Sequence, residues 1–573
     1  MKKLMVLCLS FVLAAAAFAG GNQTKTSGAA GATARVGAKG SIPLATTKPK
    51  LTMIVGAIGP TVSSLAYKDN AFTKRIMDET GIELEIIATT SADYNERINV
   101  LLNTGDYPDI LMGVPDMDYY ASQGIIIPLD QYDILSYPRI KAAFNEFPGL
   151  DQIVRGSDGK IYGLPSVDQC LHCQHNRGRI WYYMPWIRDN NRKVPTTLDE
   201  FRDYLRWVKN TDVNKNGNPN DEIPMYWLDG PDWCDSTLNV ISYIAKAYMP
   251  FVWTGSHFGL ALDDNKKIVE QYRDPRFRQA LSYLEGLYKE GLILEDSFTL
   301  SRDQGATLYQ SSTPRVGILG DSIMQEQTGP QGEGRWLDTF QLHALKGPNG
   351  DQWSGLDSPF AILGRNFFIT DKCKDPELAI ALYDYLLRND VMLDGYVGPK
   401  GIGWDDPLPG TVALNGGTPT YRQLIPYMNE PLNSSWAGRN PTVRSTQWWY
   451  TGIPGTGSAE AQKWLANGDP TVRNSLLSNP DYVEMMWYMT AKADVQYDLP
   501  LKMFLPPIIY SDADNTRVAD ILATLNTYKK QGMVEFINGT RNINNDAAWN
   551  AYLSDLDRYG AKEYVSILQK YIK

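Results

Sequence analysis

The stretch Asp212-Val213-Asn214-Lys215-Asn216-Gly217-Asn218-Pro219-Asn220-Asp221-Glu222 carries the sharpest chemistry in the chain. Side-chain oxygens stand at alternate positions, and a Gly at the sixth permits a sharp bend. A loop built this way wraps a hard cation such as calcium. An EF-hand would place a Glu at the twelfth position; here that position is Ile223, and the acids fall at Asp221 and Glu222. The reading is a calcium loop outside the EF-hand rule, with an ion-free Asn-rich turn as the alternative. Protein oxygens would fill the ligand set, so the ion would staple a loop and not react.

A second chemistry lies in the aromatic residues, 15 Trp and 33 Tyr among 573 residues. Flat aromatic faces fill cores, and they also lie under the C–H faces of sugars, whose hydroxyls bond to planar polar side chains. The candidates in loops after strands or near a hinge are Trp181, Trp186, Trp233, Trp353 and Trp404, with Tyr67 as a lesser one. Trp186 stands just ahead of a capped helix, where core packing competes. Trp448-Trp449-Tyr450 fits a cleft rim or a pin holding a long loop. The polar candidates are Asp235, Asp321 and Lys400.

Cys170-Leu171-His172-Cys173-Gln174-His175 has a metal-like spacing, but a zinc site needs a second ligand pair, and only His257 and His343 remain elsewhere. A disulfide or a mobile loop is the preferred reading, with Cys234 and Cys373 also able to pair in an oxidising compartment. No G-x-S-x-G elbow, P-loop, H-E-x-x-H or dinucleotide fingerprint occurs. With 65 acidic residues, a chance carboxylate pair says nothing for a hydrolase.

The elements that must position these residues read as several α/β units. A chain this long divides into two or more lobes. Leu51–Val55 is strand-like; a helix runs from Asn70 and stops at Gly81; Ile82–Ile87 is a strand; a helix from Asp93 buries Ile98, Leu101 and Leu102; and Ile110–Met112 is a strand. This alternation implies a parallel sheet with helices on its faces. Ser157 to Pro165 reads as a turn at Asp158-Gly159, a short strand, and a break at Gly163 and Pro165, the doorway between lobes. Beyond it come a capping box at Thr197–Glu200, a helix over Phe277–Lys289, a helix from Asp375-Pro376-Glu377, and a mainly helical end from Thr516. The long stretches 321–360 and 398–460 are rich in Gly, Pro and Asn.

Net charge is −10 with no Lys/Arg block, which disfavours nucleic acid and anionic membrane as partners. Met1-Lys2-Lys3, an apolar run to Phe18 and Ala17-Phe18-Ala19 form a signal peptide over 1–19. Residues 20–48 read as a disordered tether. No lipid-anchoring Cys follows the leader, so the expectation is an exported, soluble, periplasmic protein.

Several separated stretches resemble one family: Asn103–Ile110, Asp158–Pro165, Val194–Phe201, the 212–224 loop, Cys373–Glu377, Phe536–Gly539 and Trp549–Tyr552. In this order they resemble the extracellular solute-binding proteins of ABC transporters, family 1. They are most similar to the large oligosaccharide binders that include the alginate-binding and LplA-type proteins. The resemblance implies a type II periplasmic-binding-protein fold, two α/β lobes closing over a sugar at a hinge. Lobe 1 would take 49–168 plus about 355–420, and lobe 2 169–354 plus about 421–573. It implies a monomer without enzymatic activity that hands an oligosaccharide to an ABC permease. It also implies calcium ligands at Asp212, Asn214, Asn216, Asn218, Asp221 and Glu222, with one extra residue before the acidic pair. Where relatives carry an acid between two Gly, this chain has Gly398-Pro399-Lys400-Gly401, and a cleft-facing Lys would favour an anionic sugar or bond to hydroxyls. The alternatives are a secreted glycoside hydrolase or lyase and a sugar-sensing co-receptor for a kinase or chemoreceptor.

Overall fold

A computed structural model describes residues 38–56, 66–89, 94–112, 118–147, 149–156, 158–168, 171–175, 178–229, 235–255, 257–321, 325–328, 335–356, 362–410, 413, 418–425, 436, 443–444, 468, 482–506, 508 and 510–572. The leader, most of the tether and Trp448–Tyr450 lie outside these residues.

The apolar run at the start forms β1 (Lys50–Gly56), parallel to β2 (Glu83–Thr89) on one side and β3 (Ile110–Met112) on the other. Leu51, Met53, Ile54 and Val55 are all buried, as a strand covered on both faces requires. The helix Ala71–Thr80 between β1 and β2 begins where the Asn70 side chain accepts from Phe72 N. It ends at Gly81, whose φ of 73° is the left-handed stop the sequence implied.

β4 (Gly163–Asp168) follows the turn at Asp158-Gly159, where Lys160 N donates to Asp158 Oδ1 at 3.0 Å. Gly163 and Pro165 lie inside this strand and do not break it. Pro165 pairs with Arg365 beside an irregularity in the ladder, and its carbonyl accepts from the Tyr383 hydroxyl, so the missing N–H does not interrupt the sheet.

The chain then leaves for a second sheet with β5 (Trp181–Tyr183) and β6 (Ile223–Trp227). The hairpins β7 (Trp253–Thr254)–β8 (His257–Phe258) and β9 (Leu260–Leu262)–β10 (Ile268–Glu270) come next, then β11 (Val316–Gly320) and β12 (Thr339–Gln341). It returns through β13 (Ile362–Ile369), the small ribbon of β14 (Trp404–Asp405) and β15 (Arg422–Gln423), and β16 (Val443–Arg444). Strand order is β16-β4-β13-β3-β1-β2 in the first sheet and β12-β5-β11-β6 in the second.

Each sheet has its own apolar core. One contains Met53, Tyr67, Ile76, Leu164, Phe367, Tyr383 and Trp436. The other contains Trp181, Leu205, Trp227, Leu281 and Ile318, together with residues of the C-terminal helices Asp512–Ile537, Asp546–Arg558 and Ala561–Tyr571. The protein is thus two α/β lobes. Pairing of Val443–Arg444 with β4, and packing of Trp436 at 5.3–5.4 Å from the Phe72 and Tyr67 rings, keep the chain on lobe 1 beyond residue 420, where the sequence placed the return.

The capping box of Leu198–Asn210 differs by one residue from its expected form. Glu200 N donates to Thr197 Oγ1 at 3.2 Å, but the Glu200 carboxylate reaches past Thr197 to the backbone N–H and hydroxyl of Thr196, at 2.8 and 2.7 Å.

Candidate ligand cleft and cation loop

In lobe 2, β6 and β11 are parallel, β5 is antiparallel to β11, and β12 is antiparallel to β5. The carboxyl ends of β6, β11 and β12 therefore open on one edge, where open α/β sheets hold ligands. Three of the sequence candidates meet there. Trp181 donates its indole N–H to Asp321 O at 2.7 Å. Asp321, fully buried, accepts from the Ser236 hydroxyl at 3.3 Å and from Arg302 at 3.4 Å. Asp235 accepts from Leu238 N as the cap of Ser236–Ala245, and its other oxygen lies 2.7 Å from Lys530 Nζ. Burial pushes the Asp235 carboxyl up, and the Lys530 charge pulls against that shift.

Beside this edge is a cavity of about 810 Å³ between the loop after β6, the β7–β8 hairpin and the helix Asp512–Ile537. Its walls include Trp253, Phe258 and Phe298, with Asp229, Asp235, Lys529 and Lys530 as the charged groups. The volume and mixed lining are those of a small-molecule site. Trp233, a further sequence candidate, lies outside the described residues.

The other candidates are not drawn to this edge. Trp353, on the second crossing, packs against Val252, Ala261, Leu499 and Phe504, its N–H donating to Asp351 Oδ1 at 3.1 Å. Trp186 packs edge-on to Tyr183 in the lobe 2 core. Tyr67 and Trp404 are in the lobe 1 core, and the Trp404 N–H donates to Asp394 Oδ1 at 2.7 Å. Lys400 is exposed on lobe 1, 2.7 Å from Asp406, with its ammonium 5.2 Å from the Trp404 ring. Cys373 is a buried free thiol, pushed up to about 12 by burial.

Three crossings join the lobes, and side chains tie them together. His175 in the first contacts Leu171 O through Nδ1 at 2.7 Å and Asp498 through Nε2 at 2.8 Å, in the third. His343 Nδ1 in the second lies 3.1 Å from Asp494 Oδ1 in the third, and Ser354 N donates to Tyr497 O at 2.7 Å. Burial lowers the His343 pKa, and the hydrogen bond and charge of Asp494 more than reverse this, leaving it raised.

The loop Asp212–Glu222 curls on itself. Asp212 accepts from Asn216 N and Gly217 N at 3.0 and 2.8 Å, Asn214 Oδ1 accepts from Asn216 N at 3.0 Å, and Gly217 has φ 86°. Asn216 Nδ2 donates to Asp221 Oδ2 at 2.9 Å. Asp221 Oδ1 and Glu222 Oε2 are left buried without a hydrogen-bond partner. Burial, then the Asp221 and Asp212 charges, push the Glu222 carboxyl up against the pull of backbone N–H bonds. Orphaned, mutually repelling carboxylate oxygens fit a cation. Among the described residues no three His, Cys, Asp or Glu side chains form a metal cluster.

The family model for bacterial extracellular solute-binding proteins matches residues 70–401, and the chain belongs to that family. It is similar to the fructooligosaccharide ABC transporter substrate-binding protein FusA of Streptococcus pneumoniae serotype 4, 22% identical over 534 residues, covering 89% of this chain and 88% of FusA. It is also similar to the polygalacturonan/rhamnogalacturonan-binding protein YtcQ of Bacillus subtilis, 23% identical over 340 residues, covering 56% and 61%. The solved structure of FusA with kestose superposes with a TM-score of 0.70 at 20% identity, covering 91% of this chain and 98% of that one. Among the described residues no helix is long and apolar enough to cross a membrane.

Proposed function

We propose that this protein captures an oligosaccharide outside the membrane and delivers it to an ABC permease, without turning it over. The observation that carries the reading is the pair of separate α/β cores, tied by three crossings, with polar and aromatic groups at the carboxyl ends of lobe 2 strands. Sugar contacts made by both lobes exist only when they are closed, so binding shifts an open–closed equilibrium toward the closed form. Similarity to FusA along nearly the whole chain supports a sugar as ligand. Asp235 and Asp321 are the contacts assigned to the cleft and Trp353 to the hinge, with Trp233 as a further one from sequence.

Calcium is assigned to Asp212, Asn214, Asn216, Asn218, Asp221 and Glu222, where it would neutralise the converging carboxylates and hold the turn. The proposed lobes keep the sequence-derived division, with the final return to lobe 2 moved beyond residue 444. The test is a thermal-shift and calorimetric screen of the chain against oligosaccharides. Saturable binding with the sugar recovered intact supports the reading; turnover of a bound sugar supports an enzyme instead.

A further inference from the structure

Lys529 immediately precedes Lys530 on the helix Asp512–Ile537 and lines the same cavity. It is 4% exposed, and among the described residues its ammonium has no hydrogen-bond acceptor. Its close contact is the face of Tyr272, 4.5 Å from ammonium to ring centroid. An ammonium on a largely buried side chain that finds no protein acceptor is costly, and it is retained where a group entering the cavity supplies one.

The surrounding charges leave it free for a ligand. Glu270, the acid whose charge acts on Lys529, is held by Arg273 at 2.9 Å, and Arg273 also pairs with Asp557. Asp229 and Asp235 are both held by Lys530, at 2.5 and 2.7 Å. His257 and Tyr552 complete the titratable groups near Lys529. Two acids sharing one Lys make the Lys530 end of the cavity negative, so an anionic group is steered toward Lys529.

We propose that Lys529 pairs with a carboxylate carried by the bound sugar, so that the cavity selects uronate-bearing oligosaccharides over neutral ones. This rests on the oligosaccharide reading above and names the class within it. A charge-assisted bond formed out of water is the strongest contact such a cavity offers, and a hydroxyl cannot match it. Burial brings the Lys529 pKa down to about 8. The charge is therefore present in mildly acid solution and lost in alkali, whereas a uronate stays ionised throughout.

Calorimetry on the full chain, with a linear galacturonic acid trimer and separately with kestose, tests this at about pH 6.5 and about pH 9.5 at fixed calcium. The expected result is that Lys529→Met binds the trimer about tenfold or more weakly than the native chain at the lower pH. The native chain should lose a similar factor on going to the higher pH, and kestose binding should not follow either change. The pH arm needs no variant, so it stands even if Lys529→Met fails to fold. Equal trimer affinity in native chain and variant, or in the native chain at both pH values, overturns the inference. Kestose binding without trimer preference overturns it too and leaves the sugar reading standing. Binding of neither sugar removes both.

Discussion

Lys530 Nζ lies 2.7 Å from Asp235 Oδ2, joining the long C-terminal helix to the loop after β6 across 295 positions of sequence. Asp235 is 2% exposed and also caps the helix Ser236–Ala245, so its charge cannot turn to water.

Lys530→Met should therefore destabilise the protein by about 3 kcal/mol, the cost of an uncompensated buried charge. Thermal denaturation reads this as a fall of several degrees. Adding Asp235→Asn should restore part of the loss, because the amide can still cap the helix. No restoration in the double variant would show that Lys530 acts through something other than this pair.

Calcium should raise the melting temperature, and a chelator should lower it without changing which sugars bind. The Glu222 pKa is raised above its ordinary 4.5, so protons compete with the ion from above that value. The calcium increment should be full near neutrality and shrink as pH falls toward and through that range. Glu222→Gln should remove most of the increment. A melting temperature indifferent to chelator at neutral pH contradicts the assignment.

The hinge should respond to pH in the opposite sense. The His343 pKa is raised above 6.5 by Asp494. Its contribution is present in full below 6.5 and is lost as pH rises through the raised value. The half-exposed imidazole keeps this effect small. His343→Gln should flatten the slope of melting temperature against pH just above 6.5; an unaltered slope would place the pH dependence elsewhere.

Trp404 is a core residue by its burial and its bond to Asp394. Trp404→Ala should cost about 3–5 kcal/mol, while Trp404→Phe should lower stability with little change in sugar affinity. Calorimetry on Trp404→Phe checks this, since a large affinity loss would return Trp404 to the binding surface.

Local signals were readable where chemistry is local. The cap at Asn70, the stop at Gly81, the Asp375-Pro376 helix start and the turn at Asp158-Gly159 all depend on residues within four positions of one another. The orphaned oxygens of the Asn-rich loop likewise follow from a pattern eleven residues long. What could not be read was distance: nothing near Lys529 or Lys530 shows that the helix would lay them against Tyr272, Asp229 and Asp235. Trp404 and Tyr67 were misleading for the same reason, because an aromatic in a loop or short helix looks alike whether it faces a cleft or a core. Pro165 stands in a strand because its neighbour's ladder is irregular there, which only pairing reveals.

Closure of the two lobes is tested most directly by small-angle scattering of the chain with and without the oligosaccharide that raises its melting temperature most. It predicts a smaller radius of gyration with the saturating sugar, from two lobes drawn together about the three crossings. An unchanged radius at saturation would contradict it.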